Sequence, residues 1–284
     1  MNKIGLIGYG YWGKILYKTL LKLGYKDILI CDVNGKHSIK DYKKLEVSNV
    51  FISTPPSTHY EICNYFLNKG TNVFCEKPLV MNSKQASELY NIAEQTGATL
   101  FTDWTFTYNY AIQRLKQEYD VGLLGSIKSI TMHRYNANIT HITDGTTCKW
   151  DLACHDISII QYLVGKKPNN IDWIEYSKRI GASDSAFGIL TYPDGFAATI
   201  NVSWVYGDKF RECVFDFSEV TVVWDDKVQT LTYYPKAESR SHRQKKVDYS
   251  SFPSPVENSI KSFMSNKADF NKEITINTID ILEK

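Results

Sequence analysis

No apolar run in this 284-residue sequence approaches the roughly 18 residues that a membrane-spanning helix needs. Charge of neither sign is in excess: 33 Lys and Arg stand against 31 Asp and Glu, a formal net charge of +2. That balance gives no reason to expect a nucleic-acid or membrane-surface binder. The six cysteines (31, 63, 75, 148, 154 and 213) form no Cys-x-x-Cys pair and no metal-ligand spacing. No metal site is expected, and the thiols read as reduced residues of a cytoplasmic protein. In that setting the Asn-x-Ser/Thr sequons at Asn138 and Asn201 carry no meaning. Met1 leads straight into an apolar run at Lys3–Ile7, so no leader peptide is expected. Internal repeats are lacking too.

What is present is ordinary globular composition. Hydrophobic residues make up 43% and charged residues 23%, with 19 Tyr, 13 Phe and 6 Trp. So many buriable rings exclude disorder. The length suits one or two domains. Apolar strands are expected at Lys3–Ile7, Asp27–Cys31, Asn49–Ser53, Asn72–Cys75 and Ala98–Thr102. Helical periods lie between most of them: Ile15 to Leu23, Thr58–Lys69, and Ser83–Thr96 stopped by Gly97. Repeated strand–helix alternation implies a doubly wound parallel sheet. Only Val33–Ser48 separates the second and third strands, so a helix there is missing or reduced to a turn or two around Asp41–Leu45.

Beyond about residue 125 the rhythm changes. Strands are expected at Ser126–Asn136, Ile171–Arg179, Ser185–Tyr192, Phe196–Trp204, Arg211–Phe217, Val220–Asp225 and Val228–Tyr234. Pro193-Asp194-Gly195 marks a hairpin turn between two of them. This is an open, mostly antiparallel sheet preceded by a helix from about Asp151 to Val164. Lys236–Pro255 reads as a surface loop, followed by a short helix carrying Val256, Ile260, Phe263 and Met264. The expected division is an α/β nucleotide-binding domain at 1–102 and an α/β substrate-binding and oligomerisation domain at 103–284.

Gly8-Tyr9-Gly10-Tyr11-Trp12-Gly13 fits G-x-G-x-x-G between the first strand and the first helix, the context that gives the pattern a mechanism. The glycines permit a tight turn and close approach to a pyrophosphate, and the helix N-terminus offers free N–H groups. Asp32 ends the second strand about 20 residues further on, where a carboxylate binds a ribose 2′-hydroxyl. It repels the 2′-phosphate of NADP, so NAD is favoured; Lys36 nearby softens the preference. Thr54-Pro55-Pro56 and Glu76-Lys77-Pro78 follow the third and fourth strands. All these residues are expected along one carboxyl edge of the sheet, where such folds bind ligands.

The ordered strings GYGYWG, STPPSTH (Ser53–His59), CEKPL (Cys75–Leu79) and WDLACHD (Trp150–Asp156) make the chain similar to the Gfo/Idh/MocA oxidoreductases. The resemblance implies a Rossmann domain with bound NAD(P), an open-sheet second domain, and hydride transfer at a carbinol carbon of a sugar, cyclitol or nucleotide sugar. It implies that Lys77 is the lysine of the E-K-P motif, and that Asp151 and His155 are the acidic residue and histidine of D-x-x-x-H. Tyr11, Trp12, Thr54, Pro55, His59 and Glu76 join the glycines and Asp32 as cofactor contacts. Trp104–Asn109 with WDLACHDIS resembles a bacterial subgroup found with surface-polysaccharide genes, which implies a nucleotide sugar. Tyr110 and Cys154 stand where relatives often carry proline, which leaves the substrate open.

Oxidising a carbinol requires a base for the hydroxyl proton, and His155 is the natural one. Asp151, four residues earlier, would orient the imidazole from the same helix face, and Lys77 would bond the reacting oxygen. A lone helical histidine is more often structural, and His59 is read either as a cofactor contact or as a helix start. Tyr108, Asn109 and Arg134 are open between substrate contact and ordinary packing. The basic cluster of Arg240, His242, Arg243, Lys245 and Lys246 reads as a solvated loop. An open sheet with one apolar face favours a homodimer or homotetramer. Two rivals remain: a redox-neutral lyase or glycosidase that recycles its NAD, and a non-catalytic NAD-binding regulator.

Overall fold

The computed structural model describes residues 3–34, 39–136, 146–177, 183–236, 244–265 and 271–284. Its chain forms two compact units. In the first, β1 (Ile4–Ile7), β2 (Ile28–Cys31), β3 (Asn49–Ile52), β4 (Asn72–Glu76) and β5 (Leu100–Asp103) make a parallel sheet in the order β2-β1-β3-β4-β5. β1, β3 and β5 are buried at every position. Burial on both faces is why these strands read as unbroken apolar runs.

α1 (Tyr11–Lys22), α2 (His59–Asn68) and α3 (Ser83–Thr96) connect the strands. Asn82 caps α3 by accepting from the N–H groups of Lys84 and Gln85, and left-handed Gly97 ends it. Among the described residues between β2 and β3 one 3-10 turn forms, Tyr42–Lys44, capped by the Asp41 side chain. The reduced connection expected there is what the fold uses.

The second unit, Phe106–Pro253, holds α4 (Tyr110–Asp120), α5 (Cys154–Val164) and an eight-stranded sheet. Its strands are β6 (Ile127–Tyr135), β7 (Asn170–Tyr176), β8 (Ser185–Thr191), β9 (Ala197–Ser203), β10 (Phe210–Phe217), β11 (Val220–Asp225), β12 (Thr230–Pro235) and β13 (Lys245–Asp248). They run in the order β13-β12-β11-β10-β6-β9-β8-β7. Neighbours are antiparallel except β6 and β9. Gly195, at φ +84°, makes the β8–β9 turn that the Pro-Asp-Gly string announces.

Three features differ from expectation. Lys236–Pro255 is not all loop: β13 pairs with β12 through Leu231 and Val247, and its two lysines suit an exposed sheet edge. Helix α4 has no counterpart among the expected elements; its buried residues are Ala111, Ile112 and Leu115, too short a stripe to show a helical period. The helix expected from Asp151 opens as a π-turn, Lys149–Ala153, and becomes α-helical at Cys154.

The last two helices, α6 (Pro255–Met264) and α7 (Asn271–Leu282), also depart from the 102/103 division. They group with the first unit, which comprises Met1–Thr105 and Ser254–Glu283. Phe263 of α6 packs against the rings of Phe51, Phe74 and Phe101 at 5.4, 5.6 and 5.8 Å. From α7, Asn271 accepts from Thr102 N at 2.7 Å and donates to Thr102 O at 2.9 Å. One side chain thus supplies edge strand β5 with the donor and acceptor that a further strand would bring. Tyr90 donates to the same Asn271 oxygen at 2.9 Å, and Trp104 Nε1 donates to Thr275 at 2.8 Å.

Candidate active site

The carboxyl ends of β1 to β5 gather the first group of residues. Gly8 sits at φ +86°, and a Cβ there would lie 2.7 Å from Ser53 O. A Cβ on Gly13 would lie 2.1 Å from Gly8 O, so α1 can approach β1 only without a side chain. At Gly10 a Cβ would meet nothing within 4 Å. The outer glycines are thus required by the protein's own packing. The middle one leaves open space beside the N-terminus of α1, a cradle that a pyrophosphate fits.

Asp32 follows β2 and is held by that loop. Its carboxylate accepts from Tyr9 N at 2.6 Å and from Asn34 N at 2.8 Å. Lys36 lies outside the described residues. Tyr11 is 71% exposed at the start of α1. Trp12 points the other way and donates from Nε1 to Glu76 Oε1. Thr54 shares a 2.7 Å hydrogen bond with Thr58 while Pro55 is exposed.

His59 is the first residue of α2, the helix-start alternative expected for it. It is fully buried, with Nδ1 2.9 Å from Pro78 O and Nε2 2.8 Å from Thr54 O. Burial lowers its pKa. It ties the loop after β3 to the loop after β4, so any effect on a cofactor passes through those loops.

Glu76 ends β4, 8% exposed, and also accepts from Lys77 N at 3.3 Å. Lys77 is half-buried at the rim of the sheet, before a cis peptide to Pro78. Asp103 lies beside Glu76 in the β4–β5 register and is fully buried. Sequence reading passed over Asp103; the signal was a carboxylate ending the fifth strand, level with the other strand-end residues.

The second unit holds the D-x-x-x-H pair. Asp151 sits in the π-turn and accepts from Trp204 Nε1 at 3.0 Å. His155 stands in the first turn of α5, half-buried, its ring edge-on to Phe106 at 4.9 Å. Single π-turns inside helices recur at functional sites.

Arg134 lies in β6. It is 1% exposed and bonds Asp156 Oδ1 through Nε at 2.8 Å and Nη2 at 2.7 Å. Its guanidinium lies 4.4 Å from the centre of the Phe106 ring. Arg134 thus clamps α5 to β6 one residue from His155. Asn109 caps α4 by accepting from Ala111 N at 2.9 Å, and both it and Tyr108 are 3% exposed. Lys77 belongs to the first unit, Asp151 and His155 to the second.

Residues 33–103 match the profile described as an oxidoreductase family, NAD-binding Rossmann fold, and residues 112–223 match the GFO/IDH/MocA C-terminal domain. The uncharacterized oxidoreductase YfiI of Bacillus subtilis is 25% identical over 215 residues, 66% of this chain and 54% of that protein. The inositol 2-dehydrogenase of Rhizobium meliloti is 23% identical over 167 residues, 56% of this chain and 51% of that one. The chain thus spans about half the length of these curated relatives. Among solved structures, UDP-N-acetylglucosamine 3-dehydrogenase GnnA from Acidithiobacillus ferrooxidans superposes with TM-score 0.87 at 19% identity, covering 99% of this chain and 95% of that one. An inositol dehydrogenase homologue from Azotobacter vinelandii, complexed with NADH and myo-inositol, gives TM-score 0.82 at 12% identity, covering 99% and 93%. With both halves matched in order on a parallel-sheet unit and an open-sheet unit, the chain belongs to the Gfo/Idh/MocA family of NAD-binding oxidoreductases.

Proposed function

We propose that the protein is an NAD-dependent dehydrogenase or reductase acting on a carbinol or keto carbon of a sugar or cyclitol, with a nucleotide sugar as the preferred form. The observation that carries this reading is the carboxyl edge of the first sheet, where the glycine cradle, Asp32 and the Glu76-Lys77 strand end meet. The named activities of the inositol dehydrogenases and of GnnA support the substrate class.

Gly8, Gly10 and Gly13 would admit the pyrophosphate and Asp32 the ribose hydroxyl, with Tyr11, Trp12, Thr54, Pro55 and Glu76 lining the same edge. When bound, the nicotinamide ring supplies or accepts the hydride. His155 takes the proton from the substrate hydroxyl during oxidation and returns it during reduction. Asp151, held by the Trp204 indole, orients the imidazole. Lys77 donates to the oxygen as charge develops on it.

Exposed Ile174, Tyr176, Tyr206 and Phe210 in the second unit support a homodimer or homotetramer. Six buried cysteines with no Cys-x-x-Cys spacing support a reducing compartment, the cytoplasm. Among the described residues no helix is long and apolar enough to cross a membrane.

The test is NAD and NADP titration followed by turnover on inositols and UDP-N-acetylhexosamines. The expected result is tighter NAD than NADP binding and net NADH production. Lys77→Met and His155→Asn should each lower kcat by about 10²–10⁴-fold while the protein still binds NAD. Product without net NADH would favour the redox-neutral rival. Binding without turnover on any substrate, unaffected by either substitution, would favour the regulator.

A further inference from the structure

Asp103 and Glu76 end neighbouring parallel strands in direct register, 0% and 8% exposed. Glu76 has donors of its own: the Trp12 indole on one oxygen and Lys77 N on the other. Neither oxygen of Asp103 receives a hydrogen bond of standard geometry among the described residues. The hydroxyls of Ser259 and Thr105 lie near enough to lower its pKa, but Ser259 donates to Val256 O at 3.1 Å. Two carboxylates side by side and out of water do not both stay ionised.

We propose that Glu76 and Asp103 share one proton beneath Lys77, with Asp103 as the positioning residue that keeps Glu76 on the Trp12 indole and leaves a single negative charge facing the Lys77 ammonium.

In this arrangement the Glu76 O–H donates to Asp103 and the other Glu76 oxygen accepts from Trp12. Burial, reinforced by the Asp103 charge, holds Glu76 well above the usual carboxylate range, and burial pushes Asp103 up to about 7. The groups facing the pair in the first unit are Lys77, Trp12, Ser259 and Thr105, with the Cys75 thiol on the adjoining residue of β4. Burial raises Cys75 far enough that it stays neutral, so Lys77 is the cation among them. One shared proton makes the cluster of two carboxyls and one ammonium neutral. Loss of that proton to solvent leaves two negative charges against one positive charge. Lys77 then holds its own proton more tightly and gives it up less readily to a substrate oxygen. This last consequence rests on the role proposed above for Lys77; the proton-sharing pair does not.

The test is infrared spectroscopy of the ligand-free protein, carrying carboxyl-¹³C glutamate or aspartate, across neutral and alkaline pH. The expected result is a carboxylic-acid C=O band at neutral pH that shifts with the label and disappears as pH rises. Glu76→Gln should abolish it, and Asp103→Asn should move its titration down by about one pH unit or more. No label-sensitive acid band at neutral pH in the native sequence would overturn the proposal, as would a band unchanged in both variants. In turnover, Asp103→Asn should shift the alkaline limb of the kcat profile, whereas an equal loss at every pH would overturn the positioning role. Absence of turnover on every substrate would count against the enzyme assignment and leave the infrared result to decide on the pair.

Discussion

Burial draws an imidazole toward its neutral form, against the carbonyl oxygens beside it that favour the charged one. His59 is in that position between Thr54 and Pro78, and burial lowers its pKa from 6.5. The unfolded chain therefore takes up a proton that the folded chain refuses. Stability is intact above about pH 6.5 and falls below it, by about 1.4 kcal/mol per pH unit for one proton. Urea unfolding at several pH values should show this slope, and His59→Asn should flatten it while lowering stability at neutral pH by about 1–3 kcal/mol. Asp103 acts with the opposite sign. It titrates as one pair with Glu76, both carboxyls held above their ordinary values by burial and Asp103 at about 7, so the pair's contribution is complete below about pH 3.8 and is lost as pH rises through about 7 and beyond. Asp103→Asn should therefore gain stability relative to the native sequence between pH 5 and pH 8, about 1 kcal/mol or more, read by the same unfolding curves. Gly8, Gly13, Asp32 and the strand-end strings were legible because their chemistry is tied to local spacing. Arg134, Asn109 and His59 were not, because a polar side chain carries no sign in sequence of whether its partner is a ligand or a buried carboxylate, amide or carbonyl.

Among elements, the glycine turn separates two requirements that one motif hides. Gly13 faces the backbone of Gly8, whereas Gly10 faces open space at φ −70°, a conformation any residue adopts. Gly13→Ala should lower the melting temperature and abolish NAD binding together. Gly10→Ala should leave the melting temperature within about 2 °C and weaken NAD by 10-fold or more, since its methyl group occupies only the space a phosphate would use. Thermal melts beside NAD titration separate the two outcomes. The strands of the first sheet were legible as apolar runs because both faces are buried. The π-turn at Lys149–Ala153 was not, because it adds one residue to a helical turn without altering composition. Nor was β13: Lys245-Lys246-Val247-Asp248 has the polarity of a loop and becomes a strand through pairing with β12.

For the molecule as a whole, composition and alternation announced an α/β chain with a parallel sheet first and an antiparallel sheet second. They did not announce that the first unit is discontinuous, because adjacency in sequence says nothing of which core Phe263 enters. That ring fills the space among Phe51, Phe74 and Phe101 at 1% exposure. Phe263→Ala should destabilise the first unit by about 3–5 kcal/mol. In hydrogen exchange the loss of protection should fall on β3, β4, β5 and α6 and spare the second sheet.

The return of α6 and α7 to the first sheet also orders events at the ribosome. β1 to β5 emerge early, yet Phe263 and Asn271 follow only after the whole intervening unit has been made. At roughly 5–20 residues per second, the gap between Thr105 and Ser254 lasts on the order of ten seconds. Throughout it the nascent sheet exposes the aromatic patch meant for Phe263 and an unpaired β5 edge. The inserted unit is complete first, and the waiting sheet is the natural client for a chaperone.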